Sequence, residues 1–344
     1  MTLRKIELHL QNRRKLQKKG LWIWWQSLPP GMNSREKMKR EKIMSEAIGF
    51  RQKLVLRERK VKSLVCVGLD PIMEKCPDIV RRSFPSDWRR CAKWMTEIVD
   101  STAPYTLHFK PQVAHYEAFE GGRLALQAIV DHIHKFHPSI PVFLDCKRGD
   151  IGRTQQRYRI AHLEIDGVDG MNFGPYMGSE CMESLISNAT PGRAIVSLCY
   201  TSNPSAREVQ DIKLADGRHY WEFIAERVLA WSEKFGVQAD AGLVMAAAYE
   251  PPEEKGSGNI FSWHLSRCRE IVKDYLWFLV PGVGTQGGFI FQTVKAGYRG
   301  EGSMSINSAS EIDFASDGPD FAEASAKVAM KMQRNINEAL VHAA

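Results

Sequence analysis

Two carboxylates and a lysine stand within six residues in the run Phe143-Leu144-Asp145-Cys146-Lys147-Arg148-Gly149-Asp150. Asp145 and Lys147 are two positions apart, so on an extended strand their side chains share a face. Asp150 lies far enough along to curl back toward them from the following loop. A single buried charge is costly, whereas alternating opposite charges hold one another ionised. A lysine flanked by carboxylates keeps its proton. It can then deliver that proton to a carbanion as the carbanion forms. Lys110, at the end of another apolar run, could complete an array of two ammonium and two carboxylate groups.

Such an array works only if separate segments bring it to one place. Eight short apolar runs alternate with amphipathic stretches along the chain. The runs are 64–69, 105–110, 141–145, 168–173, 194–199, 242–246, 277–280 and 303–307. The helical patterns between and after them fall near 87–102, 122–136, 153–165, 179–187, 218–235, 261–274, 288–297 and 319–340, with another near 45–60 ahead of the first run. Eight strand–helix alternations predict a parallel sheet closed into a (β/α)₈ TIM barrel. An open doubly wound sheet would carry G-x-G-x-x-G after its first strand. Here that strand ends Gly68-Leu69-Asp70-Pro71. In a barrel, reactive groups belong at the C-terminal strand ends. Asp70, Lys110, Asp145 to Asp150, Ser202 with Asn203, and Gly282 to Gly288 all fall there.

Charge divides the chain. The net is +7, but residues 1–43 hold twelve Lys/Arg against three acids, giving +9, which leaves −2 for the rest. The basic character therefore belongs to a leader over 1–43, expected to be disordered or an over-extended start. The barrel is expected over 44–344. A high pI confined to one tail is poor support for nucleic-acid binding. No run approaches the ~20 apolar residues of a membrane span. The seven cysteines, an odd number without C-x-x-C spacing, read as reduced and buried thiols of a cytoplasmic protein, with no metal centre implied.

The motif Asp145-x-Lys147-x-x-Asp150, with Ile151 and Thr154 after it, resembles the signature of orotidine 5′-monophosphate decarboxylases. Other segments agree in order: Val65-Cys-Val-Gly-Leu-Asp-Pro71, Phe109-Lys-Pro-Gln112, Thr201-Ser-Asn-Pro204 with Gln210-Asp-Ile-Lys-Leu-Ala-Asp-Gly217, and Val280-Pro-Gly-Val-Gly-Thr-Gln-Gly-Gly288. They match the bacterial long-form subgroup over roughly residues 50–340. The resemblance implies a cofactor-free conversion of orotidine 5′-monophosphate to UMP by a homodimer with shared active sites. It implies Lys147 as proton donor to C6, with Asp145 and Asp150 flanking the departing carboxylate. Asp70 and Lys110 would hold the ribose hydroxyls, Ser202 the pyrimidine, and Gln286, Gly287 and the Gly-rich backbone the phosphate. Asp150 and Thr154 would reach the partner's site.

Three stretches depart from the family pattern. Asn307-Ser308-Ala309-Ser310-Glu311 stands where the family has Asn-Ser-Ser-Arg, so Ser310 replaces a phosphate-binding arginine. Gly174-Pro175-Tyr176 replaces Asn-Pro-Tyr, and Ala246-Ala247-Ala248 replaces Gly-Ala-Thr. Two other readings are a divergent paralogue with a binding role, and a metal-dependent sugar-phosphate decarboxylase of the same superfamily, which shares Asp145-x-Lys147-x-x-Asp150 but against which the Thr201-Ser-Asn-Pro204 segment argues.

Overall fold

Strands buried on both faces need no polar alternation, and the apolar runs behave accordingly. Every residue of β1 (Val65–Leu69) and of β6 (Ala241–Met245) is buried. A computed structural model of the chain describes residues 48–251, 254–283 and 289–343. The chain divides into two units, Met1–Ile48 and Gly49–Ala344. Residues 1–47, with the whole of the predicted leader, lie outside the described residues.

The other strands are β2 (His108–Pro111), β3 (Phe143–Arg148), β4 (Gly170–Phe173), β5 (Ala194–Tyr200), β7 (Trp277–Val280) and β8 (Met304–Ser308). All eight pair in parallel in the order β2-β1-β8-β7-β6-β5-β4-β3. Parallel bridges Phe109–Val142 and Gln112–Asp145 join β2 to β3 and close the ring. The longer helices among the described residues are α1 (Phe50–Val61), α2 (Asp87–Thr102), α3 (Gly122–Phe136), α4 (Gly152–Arg159), α5 (Tyr220–Lys234), α6 (Trp263–Val272), α7 (Ile290–Gly297) and α8 (Phe321–Ala343). Among the described residues, no helix is long and apolar enough to cross a membrane.

Two predicted helices changed form. The stretch at 179–187 keeps only one turn, Glu180–Glu183, because serines and the Pro191-Gly192 break leave too little helix-forming sequence. The stretch at 153–165 splits into α4 and a wider π-type turn, Ile160–Ile165. That turn precedes Asp166, whose carboxylate takes His162 Nδ1 at 2.9 Å and Arg123 at 2.6 Å.

α1 closes the barrel where its strands begin. The Phe50 N–H donates to Gly192 O at 2.9 Å. The Phe50 ring stacks on Trp277 (5.3 Å) and meets Phe143 and His108 edge-on. Small residues at neighbouring strand starts make room for these rings. A Cβ on Gly170 would come within 2.9 Å of Phe143, and one on Gly242 within 2.8 Å of the Trp277 indole. The same end is fastened by buried Asp169, which binds Lys53 Nζ at 2.7 Å, His134 Nε2 at 2.9 Å and the Val142 N–H at 2.9 Å. Burial opposes its charge, but Lys53 and His134 outweigh it and hold the carboxyl well below its ordinary range. Its stabilising contribution is therefore present above the unfolded aspartate pKa and lost as pH falls. Asp169→Asn is expected to lower the unfolding free energy by about 3 kcal/mol at neutral pH, read by urea denaturation. The loss should shrink in acid.

Candidate active site

The opposite rim, where strands end, carries the charges. Lys110 is the third residue of β2, and β1 places Gly68 beside it in register. A Cβ on Gly68 would sit 2.3 Å from the Ala309 Cβ, so only glycine lets the end of β8 pack this close. Gln112 pairs with Asp145, aligning the rim of β2 with that of β3.

Asp145 is the hub. Its Oδ2 accepts Lys110 Nζ at 3.4 Å, and its Oδ1 accepts Lys147 Nζ at 2.6 Å and Asn172 Nδ2 at 2.7 Å. The side chains of Lys110 and Asp145 are 5% and 14% exposed, whereas Lys147 is 48% exposed. The array thus has a dry base and one ammonium open to a ligand. Lys147 reaches this position by an irregularity rather than by simple alternation. The β3–β4 register shifts between Leu144 and Arg148, and Lys147 adopts φ +46°. A bulge of this kind re-aims a side chain and leaves backbone groups unpaired. Asn172 of β4 satisfies them: its Oδ1 accepts the N–H groups of Cys146 (2.8 Å) and Lys147 (2.6 Å). Sequence reasoning passed over Asn172. Its one signal was an amide inside the apolar strand Gly-Met-Asn-Phe.

The charges sustain each other. Burial alone would discharge Lys110, but Asp70 and Asp145 outweigh it and raise the lysine above its ordinary pKa. Burial would likewise protonate Asp145, but Lys110, Lys147 and the Asn172 amide pull it below the usual carboxylate value.

Asp70 follows β1, and its N–H donates to Asp313 Oδ2 at 2.9 Å. Asp70 Oδ1 and Asp313 Oδ1 are buried without a hydrogen-bond partner among the described residues. Asp313, also not anticipated, ends a short helix after β8 (Ser310–Asp313). Burial and the neighbouring Asp70 hold its carboxyl well above the ordinary range, which favours the neutral acid.

Asp150 does not join the cluster of its own chain as the sequence suggested. Its carboxylate turns to the Ile151 N–H at 2.8 Å, because the chain extends there before entering α4. Thr154 is exposed in the first turn of α4. Ser202 is exposed beyond β5 and close to the β7 loop, since a Cβ on Gly282 would approach its Cβ at 3.2 Å. That loop is tied to the end of β6 by Ala247 N–H donating to Pro281 O at 3.0 Å. Gln286 and Gly287 lie outside the described residues. Ser310 is exposed at the start of its short helix.

The chain resembles known proteins over most of its length. The family described as Orotidine 5′-phosphate decarboxylase / HUMPS matches residues 63–290. The orotidine 5′-phosphate decarboxylase of Cupriavidus necator is 37% identical over 289 residues, covering 84% of this chain and 97% of that protein. Among solved structures, Leishmania donovani OMP decarboxylase aligns with a TM-score of 0.63 and 26% identity, over 83% of this chain and 99% of the other. UMP synthase from the same organism aligns with a TM-score of 0.65 and 28% identity, over 83% of this chain and 57% of that longer one.

Proposed function

The chain belongs to the orotidine 5′-phosphate decarboxylase family, and we propose that the Lys110–Asp145–Lys147 rim is the apparatus with which it converts orotidine 5′-monophosphate to UMP in pyrimidine biosynthesis. The observation that carries this mechanism is one carboxylate, Asp145, gathering two ammonium groups at the C-terminal mouth of the barrel.

As the C6–carboxylate bond breaks, CO₂ departs and its bonding electron pair stays on C6, which has no adjacent electron sink. Fixed charges can stabilise such a carbon because they need no reorganisation when it forms. The Lys147 ammonium stands nearest solvent, faces the negative carbon and gives it a proton, leaving UMP. Asp145 crowds the ground-state carboxylate while keeping Lys147 oriented. The buried Asp70 Oδ1 accepts a ribose hydroxyl, and Lys110 donates to another. Ser202 contacts the pyrimidine, and Gln286, Gly287 and the backbone of their loop take the phosphate. No cofactor enters these steps.

Two chains share each site in this reading, with Asp150 and Thr154 supplied across a homodimer interface. Support comes from the exposed rim around them, where apolar Ile151, Tyr176 and Met177 lie open, Tyr176 by 90%. Seven buried, unpaired cysteines fit a reducing cytoplasm.

The experiment follows the absorbance loss of orotidylate in buffer containing EDTA. Turnover that survives the chelator is expected; a chain inert toward orotidylate would contradict the assignment. Turnover that survives EDTA also excludes the metal-dependent sugar-phosphate reading, and turnover abolished by EDTA would contradict the cofactor-free mechanism. In the same assay Ser310→Arg is expected to raise kcat/KM by roughly 10- to 100-fold, the value of one charge-assisted phosphate contact. The exposed position gives the new side chain room.

A further inference from the structure

On the outside of the barrel, two histidines and an aspartate converge. His132 Nε2 and His137 Nε2 each donate to the same Asp100 Oδ1, both at 2.7 Å. The three candidate ligand atoms lie within 4.8 Å of one another. An ideal helix would set residues five apart on different faces. Here α3 ends at Phe136, and His137 leaves the helix with φ −129° and ψ 52°, which brings its ring to 6.2 Å from that of His132. Asp100 comes from the last turn of α2.

The geometry points to a divalent transition-metal site, suited to zinc, formed by Asp100, His132 and His137. Two imidazoles and one carboxylate are the donor set that zinc accepts, at bond lengths of about 2.0–2.2 Å. The atoms are near enough for small side-chain rotations to reach them. Each Nε2 would give up the hydrogen it now shares with Asp100, to its own Nδ1 by tautomer exchange or to solvent. The metal takes the place of those two hydrogens between the rings and the carboxylate. Two helix C-termini also meet here, and their partial negative charge favours a cation.

Three protein ligands on an exposed surface leave a fourth position for water. The site lies where α2 and α3 finish and β2 and β3 have yet to begin, at the barrel end away from the charged rim. Its consequence is therefore structural. It fastens together the two helices that lead into the strands carrying Lys110 and Asp145, and decarboxylation does not require it.

Isothermal titration of the full chain with zinc chloride, after EDTA treatment and desalting, tests this. One zinc per chain is expected at the site, with a higher thermal midpoint in its presence. Magnesium should not compete, because imidazole prefers zinc. The double substitution His132→Ala and His137→Ala should weaken binding by at least ~10-fold and remove the thermal shift while orotidylate turnover persists. Asp100→Asn, which retains an acceptor for both rings, provides the same comparison if the double variant fails to fold. Zinc bound equally well by these variants, or not bound by the unaltered chain, would overturn the site.

Discussion

Lys147→Ala is expected to abolish measurable decarboxylation of orotidylate while leaving the fold intact. Losing a positioned proton donor costs about 10²–10⁴-fold in rate. Here the same ammonium also supplies charge stabilisation next to the reacting carbon, so the loss should lie at or beyond the upper end. Stability should barely move, because Lys147 is half exposed and surface substitutions usually stay within ~0.5 kcal/mol. Absorbance assays paired with thermal melts separate the two effects. A Lys147→Ala chain that melts normally yet turns over at an undiminished rate would remove this lysine from the chemistry.

Asp145→Asn is expected to damage both activity and stability. The carboxylate orients Lys147 and shares the buried rim with Lys110, whose side chain is only 5% exposed. Removing one partner of a buried pair typically costs ~3–5 kcal/mol; Asp70 remains beside Lys110, which favours the lower figure. Turnover should fall by roughly 10²–10³-fold, the cost of losing one preorganised electrostatic contact. The pH dependence follows from the directions of the two shifts. Asp145 is lowered, so its contribution is present above the unfolded aspartate pKa and disappears as pH falls through its folded value. Lys110 is raised, so its contribution is complete below the unfolded lysine pKa and disappears as pH rises through its folded value. The unaltered rim is therefore stabilising across the whole neutral range. Asp145→Asn should flatten the acid limb of the stability profile and leave a deficit at neutral pH, measurable by denaturant titration at several pH values.

The eight strands were legible because most of their residues are buried on both sides, which leaves short apolar runs that helices separate. β1, β5 and β7 fall where those runs place them, to within one residue. The convergence of Lys110, Asp145 and Lys147 could also be anticipated, since each stands at a strand end. The geometry that aims Lys147 could not. It depends on a bulge and on Asn172, a side chain that only the three-dimensional neighbour relation of β3 and β4 brings to the peptide groups it satisfies. Asp313 was hidden for a similar reason: in sequence it is one acid in a polar segment, and only the closing of β8 against β1 buries it beside Asp70. Asp150 shows the opposite error. Spacing allowed it to fold back, but local backbone bonding to Ile151 keeps it at the rim.

The claim that the rim stabilises negative charge on C6 can be tested by binding alone. UMP and an analogue bearing an anionic oxygen at C6 share ribose and phosphate, so whatever Ser310 costs the phosphate grip cancels between them. The analogue is expected to bind ~10²-fold or more tightly than UMP, as groups matched to the transition state do. Equal affinities for the two nucleotides would contradict an electrostatic rim built around Asp145.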